Sequence, residues 1–199
     1  MGTLSHVVKL TVAGNHDAVL EGDGGGWVPK NSILLNGTMV SIPISSILRQ
    51  KCITGELLEQ NIKSTSGKSI NIFGTPLSPP GVTLCNAFQD PALGLEALEK
   101  AMKSSHARPH PELFDSSFCN VDILVTHARN SIFEQVIFPF DTNQHGPRIW
   151  AYGHFHNDHG IQREWSSGGR SCLCINPAVS DMIYRPIQPV VVVEYVVIP

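Results

Sequence analysis

Three short apolar runs, each ending on a histidine motif, constrain this chain more than any other feature. Residues 7–13, 121–125 and 148–152 read as buried strands. They lead into Gly14-Asn15-His16-Asp17, Thr126-His127 and Gly153-His154-Phe155-His156. Strand ends that bring His and Asn side chains to one place are how an α/β scaffold builds a metal site, so the pattern predicts an α/β fold with candidate ligands at the strand ends. These ligands are neutral, and no carboxylate pair lies upstream to balance a metal's charge.

The 199 residues suffice for one domain with a sizeable core, and 42% hydrophobic with 16% charged residues is a globular composition. A net charge of −3 gives no electrostatic case for nucleic acid or an anionic membrane surface. Residues 7–13 are interrupted by Lys9 and lack a basic leader, so no secretory signal is expected. The apolar stretch 189–199 contains Glu194 and falls short of the ~20 residues of a membrane span. A cytoplasmic protein is expected. The five cysteines show no CxxC spacing; Cys172 and Cys174 alternate on a predicted strand and read as small buried hydrophobes facing one side.

Between the motifs, residues 18–66 carry little periodicity, and the glycine-rich stretch 22–26 reads either as a surface linker or as a substrate-facing loop. Residues 69–74 alternate like a strand, and the prolines within 75–81 stop it. A helix is predicted after Asp90 and Pro91, with Leu95, Leu98 and Met102 on one face and Glu96–Lys100 as a supporting pair. Residues 104–117 form a polar loop, residues 161–165 and 171–175 flank a turn at 167–169, and 190–198 reads as a buried strand.

His154 and His156 stand two apart, so on a strand end they would point to one side, ~7 Å apart, a separation suited to neighbouring metals. Gly153 would let the backbone turn there. Asn15 offers a hard carbonyl oxygen that combines with imidazole around Mn²⁺, Fe or Zn²⁺. His16 would project elsewhere, free to donate a proton or bind an oxyanion, with Asp17 orienting it through its other ring nitrogen. Each motif alone has a plainer reading: a turn or helix cap for Asn15-His16-Asp17, a satisfied core histidine for His127, surface residues for the last pair. Their shared placement after apolar strands is what favours the site.

The order of the motifs resembles that of calcineurin-like metallophosphoesterases, whose pattern runs Asp-x-His, Gly-Asp, Gly-Asn-His-Asp/Glu, a single His, then Gly-His-x-His. Residues 72–79, 122–127, 152–156, 159–161, 175–178 and 188–191 are similar to the metallophosphoesterase-domain-containing (MPPED) subfamily, and the resemblance runs from about residue 2 to 193. It implies a two-sheet β-sandwich flanked by helices, and metal-dependent hydrolysis of a phosphate ester, a phosphodiester first of all. It makes Asn15, His127 and His154 ligands of the second metal and His156 a ligand of the first. His16 becomes the histidine that contacts the scissile phosphate and protonates the leaving alkoxide, with Asp17 as its partner. The expected partner is a small phosphate-ester substrate.

The chain departs from that pattern in ways that shape the expectation. The Asp-x-His and Gly-Asp segments would precede its first strand, so residues 1–199 are expected to be the C-terminal portion of a single truncated domain, lacking its first strands. The complete family site holds two divalent metals; at most one is expected here, through Asn15, His127 and His154. A catalytically impaired form acting as a binding or regulatory protein is the alternative to the hydrolase. Arg129 stands in Ala128-Arg129-Asn130 where the subfamily usually has Gly-Pro-Pro, and it reads either as a bidentate phosphate contact or as a solvated loop residue. Leu77 stands where the family tends to have Trp.

Overall fold

Two of the three histidine motifs follow neighbouring parallel strands of one sheet, and the first follows a short strand of a separate pair. The computed structural model describes residues 8–22, 28, 31–50, 66–78, 87–89, 121–129, 147–167, 170–180, 183, 185–186 and 189. It is a mixed α/β structure with a core made mostly of sheet and few helices. The elements are β1 (Leu10–Thr11), α1 (Ala18–Gly22), β2 (Ile33–Leu34), β3 (Thr38–Pro43), α2 (Ile44–Gln50), β4 (Ser69–Thr75), β5 (Ile123–Thr126), β6 (Ile149–Tyr152), β7 (Gly160–Ser167) and β8 (Arg170–Asn176). No helix among the described residues is long and apolar enough to cross a membrane.

Six strands form one sheet in the order β3-β4-β5-β6-β8-β7, and β1 and β2 form a separate parallel pair. In the large sheet β4, β5, β6 and β8 run parallel, while β3 and β7 flank them antiparallel. Pro43 ends β3, an outer strand where a missing donor is tolerated. The centre is pinned by Asp122: its N–H donates to the Asn71 carbonyl (2.8 Å), its Oδ2 accepts from the Asn71 N–H (2.8 Å), and its carbonyl accepts from Arg148 N–H (2.8 Å). Thr75, Thr126 and Tyr152 consequently fall in register, so the chain leaves β4, β5 and β6 at one level.

Strand alternation sorts the core onto two faces. Leu124, Trp150, Tyr152, Cys172 and Cys174 cluster with Val121 and Phe73 on one side. Both cysteines are buried thiols outside any disulfide, in keeping with their reading as small hydrophobes. A hydrogen bond with Cys174, followed by burial, pushes the Cys172 thiol far up. On the other face Ile70, Ile72, Ile123 and Val125 pack with Leu35, Val8, Leu10 and Val12 from the β1–β2 pair. The approach is close: a methyl at Gly74 would lie 2.5 Å from Leu35 Cβ, so glycine is what lets the two sheets touch there.

Strands expected over 69–74, 121–125, 148–152, 161–165 and 171–175 appear as β4 to β8 with small shifts of boundary. The expectation over 7–13 needs correction. Among its described residues only Leu10–Thr11 forms strand, because its partner is itself two residues long: Ile33 N–H donates to the Lys9 carbonyl and Leu35 N–H to that of Thr11. Beyond it the chain turns into Gly14. The helix after Asp90, the 104–117 loop, the strand at 190–198, and Cys52, Cys85 and Cys119 lie outside the described residues, as does most of the glycine-rich stretch.

Candidate metal centre

The Gly14–Asp17 segment is a closed turn. Asp17 N–H donates to the Gly14 carbonyl (3.0 Å) and Asp17 Oδ2 accepts from Gly14 N–H (2.7 Å). The Asp17 carbonyl then accepts from Leu20 N–H (2.9 Å), so Asp17 sits at the N-cap of α1. Turn and cap, the plainer reading of this motif, are both present. Asn15 is buried at 3% exposure, and its carbonyl accepts from Ala87 N–H (3.2 Å). His16, next along the turn, is exposed.

At the end of β5, His127 N–H reaches the Thr75 carbonyl (3.3 Å), and Gly153 N–H donates to the His127 carbonyl (2.9 Å). Three donor atoms meet as a result. His127 Nε2 lies 2.8 Å from Asn15 Oδ1 and 3.1 Å from His154 Nδ1, and the two imidazoles stand edge to face with centroids 4.9 Å apart. Burial, then the neighbouring His154, lowers His127 to about 4. Burial, then His156 and His16, lowers His154 as well. Both rings are therefore neutral at pH 7 and each has one lone pair to offer.

A proton on one of the ring nitrogens can be shared with its neighbour in this group, and a cation between the three atoms is another solution. Donors held ~2.1 Å from a metal in tetrahedral or octahedral geometry stand ~3.0–3.4 Å apart, close to the two spacings found here. The set fits one divalent cation. No group of three or more His, Cys, Asp or Glu side chains suited to a metal occurs among the described residues.

His156 opens a 3₁₀ turn, His156–Asp158, and is half-buried. The expected strand geometry for His154 and His156 does not hold, because β6 stops at Tyr152 and His154 adopts φ 67°. That left-handed conformation costs a residue other than glycine roughly 1–2 kcal/mol. The bend expected at Gly153 thus falls on His154. Arg129 meets neither of its two readings in a simple way. Its guanidinium carbon lies 5.8 Å from the ring centroids of both Trp150 and Tyr152, and it hydrogen-bonds the Tyr152 side chain.

Residues without a role in the sequence-derived set hold the last loop. Asn176 Nδ2 donates to the Phe155 carbonyl (2.7 Å), Asn176 Oδ1 accepts from Ala178 N–H (3.0 Å), and His159 Nδ1–H donates to the Ala178 carbonyl (2.7 Å). The Asn176-Pro177 pair after a strand is a turn signal that could have drawn attention to this strap.

Gly14 is a second place where a side chain cannot be accommodated. A methyl there would lie 2.5 Å from His127 Cε1 and 2.7 Å from Nδ1. Gly14→Ala is expected to push the ring off Asn15 and weaken Mn²⁺ binding more than about tenfold, with a loss of stability of about 1–3 kcal/mol. Calorimetric titration with Mn²⁺ checks it; affinity within twofold of native would mean the ring does not depend on that gap.

Comparison of the sequence with protein-family models and curated proteins, and of the structure with solved structures, finds no match.

Proposed function

We propose that this chain carries a single divalent-cation site in a phosphoesterase-type fold and hydrolyses a phosphate ester, a phosphodiester first of all. The observation that carries the reading is the convergence of Asn15 Oδ1, from the Gly14–Asp17 turn, with His127 Nε2 and His154 Nδ1, from the chain just beyond β5 and β6. The order of the motifs and the packing of a small sheet on a larger one support the metallophosphoesterase resemblance and its two-sheet sandwich.

In this reading Asn15, His127 and His154 hold the cation, and their mixed O and N donors suit Mn²⁺, Fe or Zn²⁺. When bound, it supplies Lewis-acid polarisation of a phosphoryl oxygen. His16, exposed on the turn beside Asn15, binds the phosphate and gives its proton to the departing alkoxide. Asp17 closes the turn that presents His16. The resemblance makes His156, two residues beyond His154, a ligand of the first metal. Arg129, engaged with Trp150 and Tyr152, is left out of the phosphate contacts.

The test is hydrolysis of bis(p-nitrophenyl) phosphate with Mn²⁺ by the native chain and by His16→Ala. The native chain should exceed Mn²⁺ alone, and His16→Ala should lose about 10²–10⁴-fold in rate while binding Mn²⁺ normally. Stoichiometry should be one metal per chain, and two tight metals would contradict the donor count. One observation favours a second reading, a non-catalytic metal-binding or regulatory form: the three donors are neutral and, among the described residues, no metal-competent group brings a carboxylate to them. Tight binding of one Mn²⁺ with no hydrolysis above metal alone would select it.

A further inference from the structure

We propose that Asn176 is the positioning residue that sets His154 against His127, with His159 as the second anchor of the same strap; the proposal rests on the metal-site reading above. The loop between β6 and β7 carries His154 and His156, and nothing regular holds it, because His154 is left-handed and the turn at His156–Asp158 is a single one. Within that turn Asp158 N–H donates to the Phe155 carbonyl (3.1 Å), and the hold from outside the loop comes from the end of β8. Asn176 is fully buried at 0% exposure, and both ends of its amide are used: Nδ2 on the Phe155 carbonyl and Oδ1 on the Ala178 N–H. The Phe155 carbonyl lies one residue beyond His154, and the Phe155 ring meets the His154 ring edge to face at 5.1 Å. Phe155 N–H also bonds the Gly153 carbonyl (2.8 Å), so the backbone is tied on both sides of His154.

His159 closes the strap from the other end of the loop, donating from Nδ1 to the Ala178 carbonyl. The two anchors grip the 176–178 segment at adjacent points. A buried amide hydrogen-bonded at both ends resists rotation, because any turn strands a buried donor or acceptor. Holding the Phe155 carbonyl restrains the backbone one residue beyond the left-handed His154. Metal ligands are commonly held this way by a shell of partners that never touch the metal.

The experiment compares native protein with Asn176→Ala and His159→Ala. In the metal-free proteins, the NOE between the ring protons of His127 and His154 reads the juxtaposition directly. The NOE between Trp150 and Tyr152, whose centroids are 5.3 Å apart, reports that the core is intact. Loss of the histidine NOE with the core NOE retained, and a 10–100-fold fall in Mn²⁺ affinity, is the expected result. Asn176→Ala decides wherever its core NOE survives, and His159→Ala decides if it does not. A histidine NOE of native strength in the deciding variant overturns the proposal. If native protein shows the histidine NOE but binds no Mn²⁺, the metal-site reading fails, and the positioning role stands or falls on the NOE alone.

Discussion

In the proposed site, His127→Ala should bind Mn²⁺ more than about 100-fold more weakly than the native chain, because loss of a direct ligand would exceed the 10–100-fold typical of its supporting shell. His127 Nε2 touches both other donors, so its removal breaks the cluster at its shared member. The same substitution should alter acid sensitivity in the metal-free protein. Burial holds folded His127 near 4, below its ordinary 6.5. The unfolded chain takes up the proton first, so the stability this residue contributes is complete above pH 6.5. It is lost as pH falls from 6.5 towards 4, by roughly 3 kcal/mol. Urea unfolding at pH 7 and pH 4.5 measures it: the native protein should lose more stability than His127→Ala over that interval. Equal losses would remove His127 as the source.

Trp150→Ala should cost about 3–5 kcal/mol of folding stability, the range for truncating a large buried aromatic. Trp150 has 0% exposure, packs at 5.3 Å on Tyr152, and donates from Nε1 to Thr126 Oγ1 at 2.9 Å. That hydroxyl in turn donates to the Ala128 carbonyl (2.8 Å), so the indole also braces the residues on either side of His127. Trp150→Phe keeps most of the packing and should lose only about 1 kcal/mol beyond the volume change, from the missing hydrogen bond. Denaturant unfolding of both variants checks the pair. A Trp150→Ala cost below about 1 kcal/mol would show that the cluster around Trp150 is not the main core.

The strands at 69–74, 121–125 and 148–152 were legible because apolar residues dominate strands paired on both sides, leaving a compact signal. Residues 18–66 were not read, although they hold α1, β2, β3 and α2. Thr38–Pro43 is an outer strand whose exposed Thr38, Met39 and Ser41 dilute the alternation of Val40 and Ile42. Asn36-Gly37 just before it, with Gly37 at φ 65°, was the available turn signal. Of the candidate site, the approach of His127 and His154 follows from the ends of β5 and β6 in register, whereas Asn15 comes from a turn beyond β1, in the other sheet. The bend at His154 could not be read that way. It is restrained by Asn176, on another strand, through a backbone carbonyl that has no sequence identity.

The span of the Asn15–His127 contact sets an order of events for the folding chain. The two residues are 112 positions apart, and His127 and His154 are 27 apart. Closing loops of that length costs entropy that only the finished sheet can repay, and proteins dominated by such contacts fold slowly. Asp122 has to draw β4, β5 and β6 together before their ends can align, and the ligands can meet only after that. Nascent or half-folded chains would then offer scattered imidazoles instead of a chelate, and metal capture would become a late step that marks completion of the fold.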